Sequence, residues 1–167
     1  MLKTLLLLGA LSLQNPAAAG TELGIVAGVV SAPGETNISQ PVRVILLSPQ
    51  YATLWTSDVQ KRLDVYWERY KPAFAQRKEY FLEVSKIAYM DALDFVLNRM
   101  QRDQRIRITD FIQTTGAEGK FEFKNIPVGE YKIVAVGRIG GVDMLWQESV
   151  DVIGSTPQFV RLKKTVP

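Results

Sequence analysis

The chain has no cysteine and no histidine. The first absence removes disulfides, thiolate nucleophiles, cysteine zinc sites and a lipid anchor at cysteine. The second removes the commonest general base and the commonest metal ligand. A Ser-His-Asp triad and a histidine-based zinc hydrolase are therefore excluded. Charge of one sign is scarce as well. Basic and acidic side chains number 20 and 17, a net charge of +3, and they are mixed along the chain. That balance leaves no electrostatic footprint for nucleic acid. Glycine is missing from one long stretch: between Gln50 and Gln104 there is none, and the only proline is Pro72.

What is present falls in the globular range. The 167 residues are 47% hydrophobic and 22% charged, enough for one domain with a real core. The N-terminus reads as a signal peptide over 1–19. Lys3 supplies the positive region, Leu5 to Leu13 a short apolar run, and Ala17, Ala18 and Ala19 a small-residue cleavage site before Gly20. The run is too short to span a bilayer comfortably, so no membrane span is expected after cleavage. Export without cysteine points to a bacterial envelope protein, periplasmic or extracellular.

Two alternating runs flank a turn between Thr114 and Val136. Phe121 and Phe123 keep the period of two that a half-buried strand needs. Tyr131, Ile133 and Ala135 keep it again. Asn125, Pro127 and Gly129 turn the chain between them, and Gly116 and Gly119 bracket a turn before Phe121. Thr115, Gly119, Phe121, Phe123, Pro127, Gly129 and Tyr131 together resemble a motif of the carboxypeptidase regulatory-like domain, a transthyretin-like β-sandwich. Gly116 and Glu118 stand where that motif has acidic residues. The opening Gly28, Val30, Pro41, Val42, Val44 and Leu46, and the stretch Val150 to Leu162, extend the resemblance to most of the chain outside its middle. It implies a fold and little about function.

Taken in order, Leu23 to Val30 and Val42 to Leu47 read as strands, with a loop holding Pro33, Gly34 and Asn37 between them. Arg105 to Gln113 alternates and reads as the strand that re-enters the sheet. Asp143 to Val152 and Gln158 to Leu162 close the fold, after a flexible turn over Gly137 to Gly141. Ser57 is the expected helix cap, and Val59, Leu63, Tyr66, Trp67, Tyr70 and Phe74 follow at helical spacing. Apolar residues from Phe74 to Met100 fill about half of a helical wheel. Two helical segments are expected to meet near Tyr70 to Pro72, because proline removes a backbone bond and restricts Lys71. The expected fold is α+β: a seven-stranded antiparallel β-sandwich over 20–48 and 109–167, interrupted by a helical insertion over 49–108.

Candidate chemistry is thin. Asp91 with Asp94, and Glu79 with Glu83, are carboxylates one helical turn apart, which suits a solvated helix face. Ser57 with Lys61, and Ser85 with Lys86, form no activated dyad without burial of the lysine. The loop around Glu118 has too few oxygens for calcium. A Lys–Asn cross-link lacks its lysine in the first strand and its asparagine in the last. No enzyme activity and no cofactor are expected.

The insertion carries the unusual content: nine aromatic residues from Trp55 to Phe95. The stripe is nearly twice the width one surface needs. One flank, Phe74, Phe81, Ala88 and Phe95, is assigned to the sandwich or the first helix. The other, Leu82, Tyr89, Val96 and Met100, is assigned to another chain, with Ile87 and Leu97 adding exposed apolar area. The expected function is a non-catalytic interaction or accessory module, meeting a protein partner or itself. The alternative is a carbohydrate or small-ligand module with an aromatic groove between helix and sandwich.

Overall fold

The computed structural model describes residues 22–31, 38, 40–139 and 141–163. The expected signal peptide, its expected cleavage site and the loop residues Pro33, Gly34 and Asn37 lie outside them.

Two short runs set the architecture. Val44 to Leu47 and Ile133 to Val136 are buried at every position rather than at alternate ones. A strand reads this way when both faces of its sheet are covered. Val44, Leu46, Ile133 and Ala135 face a core shared with the other sheet, whereas Ile45, Leu47, Val134 and Val136 face the helices.

The first strand, β1 (Leu23–Val30), lies at the centre of a three-stranded sheet between β4 (Lys120–Pro127) and β7 (Gln158–Leu162). The second sheet has the order β3-β2-β5-β6, with β2 at Arg43–Leu47, β3 at Ile112–Thr114, β5 at Gly129–Ile139 and β6 at Val142–Val152. Among the described residues seven strands therefore form two sheets. All pairs but one are antiparallel. β1 and β7 run parallel, with Val26 opposite Gln158 and Val30 opposite Leu162, which corrects the expected all-antiparallel arrangement. The shared core is built around Phe123 and Trp146, whose indole nitrogen donates to the carbonyl of Ser31 at 3.1 Å. Gln113 closes one seam between the sheets: its side-chain oxygen accepts from the backbone N–H of Glu122 at 3.1 Å, and its amide donates to the Glu122 carbonyl. That pairing blunts the edge of β4.

The motif around Phe121 is built as its residues suggest. Phe121, Phe123, Tyr131, Ile133 and Ala135 are all buried. Gly119 has φ +70°, and a β-carbon there would stand 2.5 Å from the Val30 carbonyl oxygen. Gly129 has φ +148°, and a β-carbon there would make only an ordinary contact with the Tyr131 ring at 3.8 Å. Both need glycine's backbone freedom, but only Gly119 also needs its lack of a side chain. Gly137 does not turn the chain. It lies within β5, packed closely against Val42.

Between β2 and β3 the chain forms two helices, α1 (Pro49–Gln76) and α2 (Lys78–Arg102). Their boundaries correct the sequence reading twice. Helix α1 starts at Ser48-Pro49, with proline in the first turn where its missing N–H costs nothing; Ser57 lies two turns inside. Pro72 does not break the helix. It is exposed, as is Glu68 four residues back, so the carbonyl left without a partner can turn to water. The break falls instead at Arg77, whose extended backbone joins the two helices. The expected strand from Arg105 shrinks to the three residues of β3. Ahead of it, Ile108–Asp110 forms a single 3-10 turn closed by an Arg107–Asp110 ion pair of 3.0 Å. Ile106 and Ile108 alternate because they pack under the helix base.

Candidate functional site

The helices divide into two halves. In the lower half Tyr51, Trp55 and Val59 of α1, with Leu93, Val96 and Met100 of α2, bury the outer face of the four-stranded sheet. A tie closes this base. The Tyr51 hydroxyl donates to Asp103 at 2.7 Å, and Arg105 grips the same carboxylate at 2.9 and 2.7 Å. The Arg105 guanidinium, with help from Tyr51, holds the Asp103 carboxyl well below the usual carboxylate range. Burial, and then the bond to Asp103, pushes the Tyr51 phenol up to about 12. Higher on the helices, Arg62 links Asp58 at 2.6 Å to Asp91 at 3.4 Å, and Tyr66 also donates to Asp91 at 3.3 Å.

Beyond Leu63 no residue belongs to the core packed on the sheet until α2 returns at Tyr89. The remaining 13 residues of α1 span about 20 Å at 1.5 Å each. This upper half is an arm whose interior is largely aromatic. Trp67 stacks on Phe74 with centroids 5.6 Å apart and meets Phe81 edge-on at 5.8 Å; Phe74 meets Phe81 at 5.2 Å; Tyr70 meets Tyr80 at 6.1 Å. Only Phe74, Val84, Ser85 and Ala88 are buried there. Trp67 and Leu82 are 42% and 46% exposed. They line a groove of about 610 Å³ together with Phe74, Ala75 and Phe81 and with Lys71, Lys78 and Glu79.

The flank assigned to another chain is thereby split. Val96 and Met100 are buried on the protein's own sheet, which corrects their assignment. Tyr89 is half-buried, edge-on to Trp55 at 5.8 Å. Leu82 alone of the four is exposed. Leu82, Tyr89 and Val96 are seven residues apart, so they lie on one line of α2. The sheet covers one end of that line and stops short of the other. Of the first flank, Ala88 and Phe74 are buried, while Phe81 and Phe95 are half-buried. Ile87 is 53% exposed; Leu97 packs at the edge of the base.

The other sequence candidates fall elsewhere. Trp55 is buried between helix and sheet, and Tyr51, also buried, borders a pocket of about 430 Å³ at the base with Leu54, Arg99, Arg102, Asp103 and Arg105. Ser57 and Lys61 are both exposed on the outer side of α1. Asp91 is tied up by Arg62 and Tyr66, and Asp94 is exposed. Glu118 pairs with Lys120 at 2.6 Å, and that ammonium lowers its carboxyl. Among the described residues no group of three or more acidic side chains could hold a metal ion, and no helix is long and apolar enough to cross a membrane. Lys71, Phe74, Lys78 and Phe81 were not singled out together from the sequence as one surface. Their clustering depends on where the helices turn, at Arg77, which carries no turn signal.

No family model matches the chain, and no curated protein matches it significantly. Among solved structures it is similar to a Pseudomonas aeruginosa protein provisionally described as carbohydrate-binding. The identity is 16%, over 86% of this chain and 90% of that one, with a TM-score of 0.34. It is also similar to the pilus backbone of Streptococcus pneumoniae, at 14% identity and a TM-score of 0.34. That match covers 84% of this chain and 40% of the pilus chain. Likenesses this distant carry no argument about what this protein binds.

Proposed function

We propose that the protein is a non-catalytic binding module of the bacterial envelope that engages another protein through the upper half of its helical hairpin. The observation that supports this reading is the exposed aromatic groove between Trp67 and Leu82, on an arm that the sheet does not cover. Monomers seldom leave contiguous apolar surface without a use for it, and aromatic anchors in a concave site are what protein interfaces are built on. The two sheets are read as a β-sandwich that carries the arm, resembling the carboxypeptidase regulatory-like domain in fold alone. Export rests on the Lys3, Leu5 to Leu13 and Ala17 to Ala19 pattern, and mass spectrometry should find the exported chain beginning at Gly20.

Removing the whole insertion would strip Ile45, Leu47, Val134 and Val136 of their cover, so the test trims the arm alone. Residues 64–87 are replaced by a short Gly–Ser loop that keeps the base. The trimmed chain should remain folded by circular dichroism and lose its envelope partner in chemical cross-linking of cells. A partner retained after trimming, or a full chain that cross-links to nothing, overturns the proposal.

A further inference from the structure

The pocket beside Tyr51, between the start of α1 and the end of α2, is rich in charge of one sign. Its lining holds three cations, Arg99, Arg102 and Arg105, and a single anion, Asp103. The neighbouring chain does not restore the balance. From Asn98 to Asp110 there are four arginines and two aspartates. Both aspartates are already paired, Asp103 with Arg105 at 2.7 Å and Asp110 with Arg107 at 3.0 Å. On the facing helix no charged residue occurs from Ser48 to Ser57. Arg99 and Arg102 are thus in excess, and among the described residues neither takes part in an ion pair. They stand in the last turn of α2, three residues apart, and so share one face of it. The carbonyl end of a helix favours a cation, but two cations side by side repel each other. An anion held between them removes that repulsion.

We infer that this pocket binds a phosphate monoester, held by the guanidinium groups of Arg99 and Arg102. The arginine fork matches the oxygens of a phosphate or a carboxylate. Charge favours the phosphate. A phosphate monoester carries a charge of about −1.5 to −2 at pH 7, which answers two unpaired arginines. A carboxylate answers one and leaves the other without a partner. Asp103 does not compete for them, because Arg105 and Tyr51 already hold its carboxylate. Leu54 and the Tyr51 ring add apolar surface for the rest of the ligand. The site lies at the base of the hairpin, so it stands whether or not the arm meets a partner. The group recognised is the same on a soluble ester and on a lipid headgroup, and the test separates the two.

The test is titration calorimetry of the protein with inorganic phosphate and with acetate, at low ionic strength. Phosphate should saturate one site with a dissociation constant of about 1 mM or below, and acetate should bind about tenfold more weakly. Arg99→Gln with Arg102→Gln should weaken phosphate by about tenfold or more. Lys61→Gln with Arg69→Gln removes the same charge from exposed positions of α1 and should leave the affinity within about twofold. Arg99 and Arg102 are exposed too; thermal melting checks that both pairs are folded, and each arginine is also replaced singly. A second titration uses phosphatidylcholine vesicles containing phosphatidic acid. Vesicle binding about tenfold tighter than free phosphate, and lost in the arginine pair, supports the site and assigns the phosphate to a lipid. Vesicle binding no tighter than free phosphate supports it and assigns a soluble ester. Three results overturn the inference: no saturation by about 10 mM phosphate, acetate bound as tightly as phosphate, or equal losses in the two variant pairs.

Discussion

The two ends of α2 are made of similar residues and meet different fates. Near its end, Leu93, Val96 and Met100 are at most 1% exposed, in one core with Ile45, Leu47 and Val134. Near its start, Leu82 on the same line of the helix is 46% exposed. Hydrophobicity does not separate them; reach does. The sheet is wide enough to cover about half of the hairpin, and the remaining half must find its cover within itself or in a partner. An apolar position on an amphipathic helix therefore has no fixed meaning until the extent of the opposing surface is known.

Substitutions can break this contrast between base and arm. The largest effect should come from Trp55→Ala at the base. Trp55 is 1% exposed, donates to the Tyr89 carbonyl at 3.4 Å and lies under Lys132. Its loss should cost about 3–5 kcal/mol in chemical denaturation. The matched change in the arm, Trp67→Ala, should cost less than about 2 kcal/mol, because much of that ring already faces water. Equal costs would show that the arm is as structural as the base.

Turn glycines come next. Gly119→Val should cost about 1–3 kcal/mol, since it combines a strained backbone with a collision at Val30. Gly129→Val should cost about 1 kcal/mol, from the backbone alone. The order of the two midpoints checks the geometry of the two turns.

A smaller effect is expected at the tie that closes the base. Tyr51→Phe should cost about 1 kcal/mol by removing the bond to Asp103. Its pH dependence has two limbs. The carboxyl of Asp103 is held low in the folded state, so its contribution is present above the ordinary carboxylate range and fades as pH falls below about 4. The phenol of Tyr51 is held high, so its contribution is present below about pH 10 and fades as pH rises toward about 12. Stability curves of the parent and Tyr51→Phe should converge at both extremes. The smallest effect belongs to Leu82→Asn, within about 0.5 kcal/mol in denaturation, although it should weaken partner binding.

Much of the fold could be read in advance. Phe121, Phe123, Tyr131 and Ile133 alternate because one face of each strand meets the other sheet, and a period of two records that directly. The helices were legible from their spacing and from the missing glycine. Their ends were not. Pro72 looked like a break, but it faces water and its cost is small there. Arg77 is the break and has no residue type to announce it. The parallel pairing of β7 on β1 is a long-range event that leaves no local mark. A further signal lies in two strands. Val44 to Leu47 and Ile133 to Val136 are unbroken apolar runs, and such runs imply a sheet covered on both faces. That cover had to be the helices, and it explains why Val96 and Met100 point inward. Leu82 is an apolar residue that the described fold leaves exposed; its groove partners across the turn cannot be assigned until the turn is located.

Native-state amide hydrogen exchange along α2 of the intact chain tests the division into base and arm most directly. Amides from Ala92 to Met100 should exchange only on global unfolding, because their side chains are locked to the sheet. Those from Phe81 to Lys86 should exchange through local opening of the arm, faster by about a hundredfold or more, a gap of roughly 2.7 kcal/mol. Uniform protection along the whole of α2, at the level of global unfolding, would contradict the account.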